Sequence, residues 1–142
     1  MRARIDALEK ALKDDIRLQG VYIESYGDMS LIPEFVPYIN IVPRRKERER
    51  SFVIGSDTLY VEKPEVDLEV IESSMEGLRH AFDKCEELVE KVLDVLADIS
   101  SDALDVHHHE SMVDEYDQAT WESSYYYRAV ILWQGTKDKT YT

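Results

Sequence analysis

The chain is poor in the residues that build compact chemical sites. Cys85 is its only cysteine among 142 residues, which excludes an intrachain disulfide and a zinc site built on cysteines, and fits a reducing compartment. Only five glycines are present, too few and too scattered for a phosphate-cradling loop, and no serine sits in a nucleophile elbow. No apolar run approaches the roughly 18 residues that a membrane-spanning helix needs. The first twenty residues interleave Arg2, Arg4, Asp6, Glu9 and Lys10 with apolar positions, so they lack the continuous apolar stretch of a secretory signal. A soluble chain of intracellular origin, with no membrane partner, is the expectation.

Basic residues are also in deficit. Seventeen Lys and Arg face thirty Asp and Glu, a formal net charge of −13, and such a charge repels nucleic acid and anionic lipid at long range. A sequence-reading DNA-binding protein is therefore excluded as a first reading. The same acidity suits either a high-salt environment or a passage through which DNA slides without adhering. Hydrophobic residues make up 44% of the chain, enough for a folded core, and the length fits one domain spanning 1–142.

Ile5, Leu8, Leu12 and Ile16 recur at helical spacing, predicting an amphipathic helix over 3–18 that stops at Gly20. Two strand-like pieces follow, VYIESY at 21–26 and FVPYINIV at 35–42, the second placed by Pro37 with its start at a sheet edge. In EVDLEVI, at 65–71, Val66, Leu68 and Val70 share one strand face. The SSME sequence at Ser73 has the form of a capping box. It predicts a helix over 73–100 whose stripe is Met75, Leu78, Phe82, Cys85, Val89, Val92, Leu96 and Ile99. That stripe would suit a sheet or a coiled coil, and the flanking strands favour the sheet. Cys85 falls in it as a small core residue. A strand over 104–113 should pair antiparallel with YYYRAVILWQ, an interior strand with Ala129, Ile131 and Trp133 on one side and Val130 and Leu132 on the other. The fold class expected is α+β: an antiparallel or mixed sheet, a long helix packed on one face, and an N-terminal helix at an edge or interface.

Three of the four histidines stand in DVHHHE at 105–110. On a strand, His107 and His109 would share a face, exposed or at a subunit contact, and could hold one metal ion with a cross-strand third ligand such as Glu122 or Tyr125. Surface histidines on a paired strand are the simpler reading, so no metal and no cofactor is assigned; a small metal-dependent enzyme using His107 and His109 is the competing class. Titration of the cluster as a pH switch lacks a two-state element to act on. Asp114, Glu115, Asp117 and Glu122 lack the spacing of a calcium loop and read as a solvated acidic face. The remaining conspicuous feature is RRKERER at 44–50, five basic and two acidic residues in an acidic chain. It predicts a charged loop or projecting hairpin over 44–57, and its natural target is an acidic protein surface, such as another copy of the chain.

Taken in order, the N-terminal helix, the paired β segments, the charged projection, TLYVEKPEVDLEVIE, the long helix, and a last hairpin ending in YYYRAVILWQG resemble the tail terminator or tail completion proteins of long-tailed viruses. The resemblance implies a small α+β subunit of a homohexameric ring that ends the tail tube and joins it to the neck. It further implies no catalytic residues, tail tube and neck or connector proteins as partners, DNA passing through the lumen, and assembly in the host cytoplasm into the virion. Arg44, Arg45, Lys46, Arg48 and Arg50 would then form the docking element. A neck or head-completion connector of the same virion is the alternative within that class.

Overall fold

The structure, a computed structural model, describes residues 1–28, 30–54 and 57–141, with the backbone alone described over 45–54, 57–60 and 139–141. Its element order is α1 (Arg2–Asp14), β1 (Tyr22–Ser25), β2 (Tyr38–Ile54), β3 (Asp57–Ser74), α2 (Leu78–Asp98), β4 (His108–Trp121) and β5 (Ser124–Tyr141). The strands form one sheet in the order β1-β2-β3-β5-β4. β1 runs parallel to β2 and every other neighbour is antiparallel. The fold is thus α+β with a mixed sheet, as the sequence predicts.

Strand alternation sets the core. Ile39 and Ile41 of β2, Val66, Leu68 and Val70 of β3, and Ala129, Ile131 and Trp133 of β5 line one face, in cross-strand register, and all eight are fully buried. Both helices pack against that face. α2 contributes Ala81, Cys85, Leu88, Val89, Val92, Val95 and Leu96, and α1 contributes Ile5, Leu8 and Leu12. β5 lies between β3 and β4, the interior position expected of it.

Several boundaries differ from the sequence reading, each for a local reason. Asp15 adopts an extended conformation that ends α1, and its carboxylate accepts a hydrogen bond from the Arg17 amide to start a 3-10 turn over Ile16–Leu18. Ile16 leaves the helical stripe as a result and is 81% exposed. The SSME motif does not cap a helix. Ser73 and Ser74 remain paired with β5, the Glu76 amide bonds the Ser74 hydroxyl, and α2 starts after Gly77 at φ 135°, a conformation open to glycine and strained for other residues. Met75 therefore precedes the helix and is exposed. Pro37 does not mark a sheet edge: β2 begins after it, and over Tyr38–Ile41 it lies between β1 and β3.

The segment 104–113 is a strand only from His108. Asp102–Leu104 form a 3-10 turn closed by Asp105 in the left-handed region, which drops Leu104 and Val106 into the core. Arg4 of α1 locks that turn, its guanidinium donating to the carbonyls of Leu104 and Asp105 at 3.0 and 2.8 Å. β4 then continues to Trp121 and β5 to Tyr141, so both strands run on through polar sequence past the 104–113 and YYYRAVILWQ segments expected to pair.

Gly135 lies on β5 beneath that turn. A Cβ there would meet the Val106 side chain at 2.6 Å and the Trp133 ring at 2.8 Å. Gly135→Ala is therefore expected to destabilise the fold by about 1–3 kcal/mol through overpacking, measured as a lower urea midpoint with an unchanged slope. Cys85 is buried on α2, with its thiol facing the Val70 carbonyl at 3.6 Å, and burial pushes its pKa up to about 12. It is expected to resist a thiol-specific reagent in the native chain at neutral pH and to react fully in denaturant. Among the described residues no helix is long and apolar enough to cross a membrane.

Candidate functional site

The histidine segment is a structural joint. The His107 amide donates to the Thr136 carbonyl, and its Nδ1 accepts from the Asp138 amide at 3.0 Å. His109 is half-buried, with its Nδ1 3.1 Å from Trp133 Nε1 and its Nε2 2.9 Å from the Ile99 carbonyl. An indole nitrogen only donates, so Nδ1 of His109 accepts and Nε2 carries the proton that bonds Ile99. Neither nitrogen retains a lone pair for a metal. The sequence places His109 exposed or at a subunit contact; within the chain it is half-buried and ties β4 to β5 and to the end of α2. His107 and His108 are exposed. An open groove of about 460 Å³ runs past them, walled by Leu93, Ala97 and Ile99. Glu122 stands at positive φ in the β4–β5 turn and Tyr125 at its far side, at the opposite end of β4 from His109. Among the described residues no three His, Cys, Asp or Glu are grouped to hold a metal ion.

The sheet face away from the helices holds what the sequence did not announce. Asn40, Glu69 and Arg128 form a chain across three strands. The Asn40 amide donates to Glu69 Oε1 at 2.9 Å while pairing with both backbone groups of Gly27. Arg128 Nη1 donates to Glu69 Oε2 at 2.7 Å. Its other terminal nitrogen lies 3.4 Å from Glu115 and 3.5 Å from Asp117. Asn40 and Glu69 are fully buried although no helix covers them.

Two bulges add a second polar bridge on this face. Register shifts leave Arg44 on β2 and Asp114 on β4 without cross-strand partners. These two bulged residues bond each other at 2.6 Å, with Asp67 of β3 at 3.1 Å from Arg44. β3 and β5 separate their strands, about 14 Å at three flat-sheet spacings. Bulges re-aim side chains, and the long Arg44 side chain reaches over β3 and β5 to bond Asp114 on the polar face. Burial raises the pKa of Asp67 against the opposing pull of Arg44. Arg44, proposed from sequence as part of a docking element, is thus engaged within its own chain. The side chains of Arg45, Lys46, Arg48 and Arg50 lie outside the described residues; their backbone lies on β2.

Two long strand edges complete the surface. Beyond Ile41 the outer side of β2 has no neighbouring strand among the described residues, and the same holds for all of β4. Past Glu62 the β2–β3 hairpin continues over Glu49–Ile54 and Asp57–Val61, accompanied by β5 from Asp138 to Tyr141. This is a three-stranded projection about 20 Å long at the usual rise per residue. Gly55 and Ser56 at its tip lie outside the described residues. β4 exposes Met112, Tyr116 and Trp121 and carries Glu110, Asp114, Glu115 and Asp117 without a lysine or arginine. No protein-family model matches the sequence, and no curated protein matches it at a significant level.

Proposed function

We propose that this chain is a structural virion protein, a ring-forming subunit that terminates the tail tube of a long-tailed virus and joins the tail to the neck or connector. The observation that carries this reading is the β2–β3 hairpin, which extends past the body beyond the basic run RRKERER at 44–50 in an otherwise acidic chain. A basic run at the root of an extended hairpin on an acidic body suits docking between copies or onto a tube rather than turnover of a substrate. The net charge of −13 favours a lumen wall along which DNA slides, because like charges repel at short range even in salt. The proposed partners are other copies of the chain in a hexameric ring, the tail tube protein and the neck protein. The proposed location is the tail and neck of the virion, after assembly in the host cytoplasm.

A neck or head-completion connector would present the same subunit to different neighbours. The metal-enzyme reading loses its support, since Trp133 and Ile99 occupy both nitrogens of His109. Immunogold labelling of purified particles tests the proposal. Label confined to the junction of head and tail is the expected result. Label along the tail length, or none on intact particles, would overturn it.

A further inference from the structure

We infer that copies of this chain join head to tail by strand pairing, the outer edge of β2 over 45–54 in one copy lying against the outer edge of β4 in the next. This deepens the ring reading above and rests on it. Unpaired strand edges are templates for another strand, and proteins that do not use them keep them short, covered or broken. Here both edges are long: ten residues on β2 past the bulge and fourteen on β4. Their charges are opposite. Residues 45–50 hold four basic and two acidic side chains, whereas β4 holds four acids and no lysine or arginine.

The charge pattern selects one pairing from three. Two β4 edges would set acid against acid, and two β2 edges would set arginine against arginine, both unfavourable for directly opposed residues. Only β2 against β4 brings opposite charges together. That contact uses different surfaces on the two copies, so it is heterologous, and each copy retains one free edge of each kind. A heterologous contact propagates and closes into a ring when the rotation between copies permits. Met112, Tyr116 and Trp121, exposed on β4, supply apolar area beside the pairing strand. Arg44 and Asp114 are bonded to each other within the chain, and Glu115 and Asp117 lie beside Arg128, so Glu110 is the β4 acid placed furthest from these internal pairs.

The test uses the full chain and two sets of charge-changing substitutions. One set is Arg45→Glu, Arg48→Glu and Arg50→Glu on β2. The other is Glu110→Lys, Gln118→Lys and Thr120→Lys on β4. Association is measured by sedimentation across concentration and salt, with circular dichroism to confirm folding. Wild type is expected to associate less as salt rises. Each set alone should weaken association by about tenfold to a hundredfold, and the chain carrying both sets should recover part of what the β2 set alone loses, because the new β4 lysines then face the new β2 glutamates. In wild type, a zero-length amine-to-carboxylate crosslinker should join Lys46 of one isotopically labelled copy to Glu110, Glu115 or Asp117 of an unlabelled one.

If wild type associates but the six-fold variant does not recover and no such crosslink forms, the ring reading stands and this interface is wrong. If only the β4 set matters, that edge receives some other strand and the inference fails. If wild type stays monomeric at every concentration and salt, both readings fail.

Discussion

Replacing Trp133 with alanine is expected to lower the unfolding free energy by about 3–5 kcal/mol, the usual cost of emptying a large aromatic site. Trp133 is the largest fully buried side chain and sits at the centre of β5. It packs beside Val66 across the β3–β5 pair and supports Gly135 and Val106. The loss has a second part. Without the indole donor, His109 Nδ1 loses its bond, and the link from β4 to the end of α2 through Ile99 loses one of its two anchors. Trp133→Phe separates these parts: it restores most of the volume and none of the hydrogen bond, so it should cost roughly 1–3 kcal/mol. Equal losses for the two variants would mean that packing around Trp133 contributes nothing beyond the bond to His109.

The second large effect is expected at Arg128. Truncation to alanine would leave the Glu69 carboxylate, fully buried, without its cation, and breaking a buried pair from one side costs about 3–5 kcal/mol. Arg128 is itself 13% exposed, so the lower end of that range applies. Replacing both partners, Glu69→Leu with Arg128→Met, should recover much of the loss, because no uncompensated charge remains. Asn40 would then lose one acceptor while keeping its bonds to Gly27. Urea titrations of the two single variants and the double variant measure the coupling. Additive losses would show that Glu69 and Arg128 act independently.

The helix-facing half of the fold was legible because burial and periodicity agree there. Val66, Leu68 and Val70, and Ala129, Ile131 and Trp133, alternate with polar or differently placed residues, and the structure buries all six. The opposite face was misleading. Glu65, Asp67 and Glu69 alternate with the apolar row of β3, yet Glu65 and Glu69 are buried, Glu69 with Arg128 as its cation. Alternation identifies which residues share a face; it does not say what covers that face. The bulges at Arg44 and Asp114 were equally silent, since neither carries the glycine that often marks a bulge.

Strand ends failed for a related reason. After Asp114 and Gln134 the residues are polar on both faces, so no period separates strand from loop, and pairing with an existing neighbour decides instead. At the histidines, sequence placed three similar side chains on one strand. The turn at Asp105 and the donor at Trp133 gave them three different surroundings. The basic run at 44–50 was the most informative signal for the proposed role, since its charge contrast with the rest of the chain is independent of its conformation.

In the proposed role this chain ends tail growth and joins tail to head. Electron microscopy of particles assembled without it tests that most directly. Tails of uncontrolled length and heads that remain unjoined are the expected result, both corrected when the intact chain is supplied. Particles of normal tail length with heads attached would contradict it.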